Sequence, residues 1–433
     1  MILIFSDSIT ERLEYTLNFV FKMRGMAYEI TNDPNLFLKS NHPHRLVYSD
    51  YPFDEQFPTI QPASLLFEED ILSHNLQKAT WNNCSCLKFG KIIDPLASIF
   101  YVLSRYEEYL DFAPDEHDRF TASQSILKKM EWLKEPICDV WANCILKWLN
   151  QTYDTIHLQK AESNLLVTFD IDNTFAFKYK STVQHLGGRI KDFVTGNHQR
   201  IDQRNSVLSD GEKDPFDTFE LILDYGAKGV EIQLFWLLGD LKKYDRNVSW
   251  TNPAHQRLIR NLAQRFSIGI HPSYFSNSVP SKLAEERGRL EHILQKPVFH
   301  SRQHFLKLRL PTTYHNLLQI GIHEDFSMGF SDEVGFRMGT ARKVNFFDLT
   351  IDATTDLKLQ PFVYMDGTLN QYLKLSPDEA IETTQQLVNQ VVKYGGTFCC
   401  IWHNETIGNS GIWQDWKRVL DENIRYFNKV THQ

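Results

Sequence analysis

The sequence predicts an α/β protein in two parts: a smaller α/β domain over residues 1–160, then a barrel of alternating strands and helices over residues 161–433. Three observations lead there. The chain of 433 residues exceeds what one typical domain holds. Its second half alternates short apolar, strand-like runs with helical patterns, the order that builds parallel sheets. Three of those runs end directly in chemically capable side chains: Leu165 to Asp170-Ile171-Asp172, Ser267 to His271, and Phe398 to Trp402-His403. In parallel barrels the C-terminal strand ends share one mouth, so these groups converge.

Met1 to Phe5 reads as a strand, and Glu11 to Met23 as an amphipathic helix behind the cap candidates Ser8 and Thr10. Residues 41–92 are rich in Pro, Asp and Asn, which predicts short strands and turns. Ile99 to Leu110 and Cys138 to Leu149 carry helical apolar patterns, and the polar stretch Asn150 to Asn164 is the expected boundary. In the second part, Glu231 to Leu238 is a predicted strand and Asn252-Pro253 a helix start of cap plus proline. Ser281 to Leu294 is a helix, Val298 to Arg302 a strand, and Pro311 to Ile320 a short helix closed by Gly321. Ser376-Pro377-Asp378-Glu379 is a capping box whose helix stops at Gly395-Gly396, just before the strand ending at His403. Between Lys178 and Lys213 lies a long insert with seven Lys or Arg against four Asp or Glu, read first as a solvated surface excursion and, as the alternative, as a segment that shapes access to the mouth.

With 42% hydrophobic residues the chain can bury large cores, and a net charge of -8 argues against a general nucleic-acid surface. No run approaches the ~18 uninterrupted apolar residues of a membrane span. Met1 to Phe5 is followed at once by Ser6-Asp7-Ser8 and lacks a basic flank, so it does not read as a signal peptide. A cytoplasmic location is therefore expected, with the six cysteines, including Cys84-Ser85-Cys86, as reduced thiols.

Asp170 and Asp172, two residues apart, share one face of an extended strand, where one carboxylate can act as a base while the other binds a cation. His271 at a strand end can ligate zinc through one ring nitrogen. His403 can act as a general acid, and Arg302 can hold a carboxylate ionised. His304 shares a strand face with Arg302 and is either a ligand or a packing neighbour. Asp325, Asp332, Arg337 and Asp366, in turn-rich segments, are candidate supports.

Two families share features with these motifs. Asp170-Ile171-Asp172-Asn173-Thr174 resembles the DxDxT signature of haloacid-dehalogenase-like phosphatases, with Gly239 to Asp245 approximating their later acidic motif. The fuller resemblance, over residues 163–433, is to the polysaccharide deacetylase (NodB-homology) superfamily, which includes carbohydrate esterase family four. Thr168-Phe169-Asp170-Ile171-Asp172 is similar to its first motif, and Gly269-Ile270-His271-Pro272-Ser273 to its second. Ser301-Arg302-Gln303-His304 stands in place of the third motif, Asp325 to Phe330 of the fourth, and Ile401-Trp402-His403 of the fifth. The resemblance implies a distorted (β/α)7-type barrel preceded by the smaller α/β domain, and a metal-dependent deacetylase acting on a carbohydrate. In it Asp170 would be the base, Arg302 its tuning partner, Asp325 a further catalytic residue and His403 the acid. Asp172 and His271 would hold a divalent ion, zinc by the donor types. The second motif's usual second histidine is replaced by Phe275, leaving His304 as the best third ligand and Ser273 or Asn277 as weaker ones. A catalytically silent carbohydrate-binding relative is the alternative that Phe275 raises. Residues 1–160, with Ser104-Arg105-Tyr106-Glu107-Glu108-Tyr109, resemble an uncharacterised bacterial domain found ahead of such modules.

Overall fold

The computed structural model of the protein describes residues 1–53, 57–156 and 162–432. The centre of the expected boundary, residues 157–161, lies outside the described residues.

The first part contains two small sheets. The apolar strand Ile2–Ser6 is buried throughout and pairs in parallel with Tyr28–Thr31 on one side and His44–Tyr48 on the other. The following helix, Glu11–Val20, starts where the Thr10 side chain accepts the Leu13 N–H, and the chain turns at Gly25 in the left-handed region. A second, antiparallel sheet joins Leu76–Trp81, Cys84–Phe89 and Ile92–Ile93. Asp94 caps the helix Pro95–Leu103 by accepting from Leu96 N and Ala97 N. That helix stops seven residues short of the expected end, because Arg105 adopts φ 54° and reverses the chain.

Cys84 on the antiparallel sheet is joined to Cys144 on the helix Ile137–Tyr153 as a disulfide. This corrects the expectation that all six cysteines are reduced: Cys86, Cys138, Cys399 and Cys400 are the free ones. Two cysteines 60 residues apart in sequence carry no local signal of pairing.

The second part is built on a nine-stranded sheet. Its order is Val344–Asp348, Ala353–Leu359, Glu324–Asp325, His300–Ser301, Ser267–Ile270, Glu231–Trp236, Ser163–Ile171, Gly396–His403, Tyr364–Met365. Every neighbouring pair is parallel except the first, which is an antiparallel hairpin at the edge. Among the described residues no ladder joins Tyr364–Met365 to the opposite edge, so the expected barrel is here a mixed sheet without closure.

Strand periodicity sorts its side chains. Val167, Phe169 and Ile171 face the large core shared with the helices, while Leu166 joins Phe235, Phe326, Phe362, Cys399 and Ile401 in a separate cluster on the other face. Thr168, Asp170, Cys399, Ile401 and His403 follow the same alternation, so strands that are apolar below present polar groups at their C-terminal ends. The capping box at Ser376 and Glu379 forms as expected and starts the helix Pro377–Tyr394.

A buried ion network fastens the two parts together. Arg105 Nε donates to Glu108 Oε1 at 2.7 Å and its Nη2 to Glu107 Oε1 at 2.8 Å. From the second part, Arg337 Nε and Nη2 reach the two oxygens of Glu108 at 2.9 and 2.6 Å. Burial alone would raise the Glu108 carboxyl, but Arg337 and Arg105 hold it below the usual carboxylate range. Arg337, expected beside the mouth, belongs to this clamp instead. Asp332 likewise turns to the first part, accepting from Ala122 N at 3.3 Å.

Removing Glu108 leaves the buried Arg337 guanidinium without its carboxylate and Arg105 with Glu107 alone, so Glu108→Ala should lower unfolding free energy by about 3–5 kcal/mol in denaturant titrations. Thiol titration of the unfolded, unreduced chain should find four groups, rising to six after reduction.

Candidate functional site

The strand ends meet around one cavity of about 200 Å³. Pockets that enclose a whole drug-sized ligand run from about 300 Å³ upward, so this one is too small to enclose such a molecule whole. Asp170, Asp172, His271, His304 and His403 line it.

Asp170 is buried, and its Oδ1 accepts from Arg302 Nη1 at 2.9 Å. Arg302 is wholly buried; its Nε donates to Phe326 O at 2.9 Å and its Nη1 also reaches Thr168 Oγ1. The guanidinium lies over the Phe235 ring at 4.5 Å, on top of the apolar cluster.

His271 Nδ1 lies 2.6 Å from the Arg302 carbonyl, which can only accept, so Nδ1 carries the proton. Its Nε2 then faces Asp172 Oδ1 at 3.1 Å and Asp170 Oδ2 at 3.9 Å. Burial pushes the imidazole down, but the two aspartates outweigh it and raise its pKa. His304 Nδ1 sits 3.8 Å from Asp172 Oδ1, and burial drives this ring down to about 3, keeping it neutral with a free lone pair. Asp172 is the most open of the three, 29% exposed, and despite burial the three histidines hold its carboxyl well below the usual range.

These three residues fit a divalent ion. Their donor atoms all lie within 4.8 Å of one another, and the 3.1 and 3.8 Å pairs bracket the ~3.4 Å ligand spacing of tetrahedral zinc. Asp172 Oδ1 and His304 Nδ1 are buried atoms without hydrogen-bond partners among the described residues, as atoms reserved for a metal would be. The carbonyl behind His271 fixes its tautomer, the usual outer partner of a metal-bound imidazole.

His403 forms the opposite wall. Its Nδ1 contacts Asp366 Oδ1 at 2.9 Å, its backbone N–H donates to Asp366 Oδ2 at 2.8 Å, and Nε2 stands 3.7 Å from Asp172 Oδ2. Burial opposes the charged ring, but Asp366 overrides it and raises its pKa well above the ordinary histidine value. Thr406 Oγ1 donates to Asp366 at 2.6 Å and fixes the carboxylate.

Asp325 does not reach the cavity. It is wholly buried, accepting from Ser301 Oγ at 2.7 Å and from Ser327 N at 2.9 Å, and Ser327 Oγ in turn accepts from Gln303 N. Its place is behind the Arg302 loop, which corrects its expected catalytic role. The weaker ligand candidates are engaged elsewhere: Ser273 Oγ donates to Glu286, and Asn277 Nδ2 to Lys307 O. Phe275 is 41% exposed and lies against Lys242. Of the phosphatase-like motif, Asp240 pairs with Lys282 and Arg289 at the surface, and Asp245 accepts from Tyr274 N; neither lines the cavity.

Two further wall residues carry no motif that sequence reading could pick out. Glu405 lines the cavity, and burial raises its carboxyl to about 7. Arg119 arrives from the first part; its Nη1 donates to Phe305 O at 2.9 Å and its Nη2 to Tyr372 OH at 3.2 Å. Phe305 and Leu306 both adopt left-handed backbone, φ 60° and 53°, a strained pair that the surroundings must hold in place.

The model of a family of unknown function (DUF7033) matches residues 2–154, about a third of the chain. No curated protein matches. Among solved structures, the chain is similar to the allantoinase Puue at 11% identity and TM-score 0.41, covering 62% of this chain and 85% of that one. It is similar to a protein of Mycobacterium smegmatis provisionally described as a polysaccharide deacetylase, at 17% identity and TM-score 0.38, covering 62% and 84%. A polysaccharide deacetylase from Bacillus cereus follows at 11% identity and TM-score 0.30, covering 61% and 87%. Likenesses this low leave any functional reading to rest on the site itself.

If Asp366 holds the proton on His403, Asp366→Asn should bring the His403 titration down toward the ordinary ~6.5. Histidine NMR on the metal-free protein checks this: the wild-type ring should remain charged well above that pH.

Proposed function

We propose that the protein is a metal-dependent hydrolase that removes acetyl groups from a carbohydrate. One observation carries the reading: a metal-sized Asp172–His271–His304 set stands between an Arg302-paired aspartate and an Asp366-paired histidine on a single cavity. Two imidazoles and one carboxylate lining a cavity are a donor set suited to catalytic zinc. When bound, such an ion supplies Lewis acidity to an acyl carbonyl and acidifies a water.

The protein's own groups would do the rest. Asp170, paired with Arg302, takes the proton of the attacking water. His403, kept protonated by Asp366, gives a proton to the departing amine or alcohol. Base and acid thus stand on one cavity, each beside a side chain of opposite charge. The motif resemblance supplies the acetylated sugar as substrate class. A cavity too small to enclose a drug-sized molecule whole suits an acetyl group on a longer glycan. Residues 1–160 would be an accessory domain that lends Arg119 to the wall.

Purified protein should carry near-stoichiometric zinc or a similar ion, lost in Asp172→Ala and His304→Ala by elemental analysis. Asp170→Asn should keep the metal while kcat on an acetyl ester or acetylated glucosamine oligomer falls by roughly 10²–10⁴. Glycan affinity without turnover, unchanged by chelator, would instead mark a silent binding relative.

A further inference from the structure

The helix Thr182–Val194, in the insert after Asp172, is turned inside out. Val183, Leu186, Ile190, Phe193 and Val194 recur at helical spacing on one arc, and they are 81, 61, 56, 77 and 77% exposed. Soluble helices bury that arc. Here the polar side is buried instead: Asp192 is the helix's buried residue, held by Arg204 of the helix His198–Ser209 and by Arg200 Nε at 3.4 Å. Gly188 completes the inward face. A Cβ there would come within 2.8 Å of the Arg204 guanidinium, so a larger residue would push the two helices apart.

The outward charges on this helix are cationic. Arg189 and Lys191 are exposed and border the apolar arc on its two sides, while the one acidic residue, Asp192, is turned in and neutralised. A weakly hydrophobic helix with one apolar face flanked by basic side chains suits the headgroup boundary of an anionic bilayer. Its 13 residues span about 20 Å, too short to cross a hydrocarbon core of about 30 Å, so it would lie along the surface. It also stands at the cavity end of the sheet: Lys180 Nζ donates to Asn173 Oδ1, next to Asp172, and Gln184 Nε2 to Asn247 O at 3.3 Å.

We propose that the apolar face of Thr182–Val194 docks the protein on an anionic membrane surface. Docking places the cavity beside the bilayer, where a substrate held at a membrane would reach it. The inference does not depend on the hydrolase reading.

The test is flotation of the full chain with phosphatidylcholine vesicles, with and without phosphatidylglycerol. Wild type should float with the anionic vesicles. Val183→Asp with Phe193→Asp should reduce the bound fraction by roughly tenfold or more. Arg189→Gln with Lys191→Gln should remove the preference for phosphatidylglycerol, by about fivefold per side chain at low salt. All these side chains are exposed, so thermal unfolding should be unchanged, separating lost docking from lost fold. Asp172→Ala should still float, which keeps this result apart from the fate of the catalytic reading. Wild type that ignores both vesicle types would overturn the proposal. So would concentration-dependent self-association, in sedimentation without lipid, that the aspartate pair abolishes, since the face would then belong to a second copy.

Discussion

A guanidinium with no exposure to water must find acceptors inside the fold, and Arg302 finds them on two segments at once. It binds Asp170 and Thr168 on the Ser163–Ile171 strand and the carbonyl of Phe326, while its own carbonyl takes the His271 proton. The aspartate is thereby kept paired, and the histidine has its tautomer chosen. Both relations come from one residue, whose side chain is lodged above the Phe235, Phe326 and Phe362 rings. Loss of one such partner leaves an uncompensated buried charge.

The charges around the cavity explain how metal and protons are linked. Asp172 offers Oδ1 to His271 and His304 and Oδ2 to His403. With no cation between them, the His271 ring is pushed toward its charged form by the two aspartates. A divalent ion held by Asp172, His271 and His304 would compete with protons for the same nitrogen. His304, kept neutral by burial, enters the competition without a proton to lose. His403 stays outside it, because its charge is matched by Asp366 rather than by the shared carboxylate alone.

Much of this was legible in the sequence wherever a local rule applied. Apolar strand-like runs ending at Asp170, His271 and His403 placed those groups on one mouth, because period-two alternation and parallel pairing leave little choice. Caps were equally local: Asn252-Pro253 and Ser376 with Glu379 start helices as read. Relations set by distant pairing were not legible. Arg337 was expected beside the mouth, but its partner Glu108 lies 229 residues away. Cys84 finds Cys144 on a helix that its own surroundings do not announce. Asp325 sits where the fourth motif is expected, yet two serines take both its oxygens and turn it away from the cavity. An acidic residue in a turn-rich segment reads the same whether it faces substrate or holds a loop.

The first 160 residues bear on the site through a single strained turn. His304, the candidate third ligand, is followed by Phe305 and Leu306 in left-handed backbone. Phe305 stacks on the His304 ring, with centroids 4.8 Å apart and planes 17° from parallel, and so fixes how Nδ1 points toward Asp172. What keeps a bulky residue in that conformation is the bond from Arg119 to the Phe305 carbonyl, with Tyr372 held by the same guanidinium. Arg119 is in turn set by Asp115, within its own segment, at 2.7 Å. The Glu108 clamp fixes where that segment sits against the sheet. The candidate ligand His304 and the first 156 residues thus belong to one device: the turn that follows His304 is held in place by Arg119.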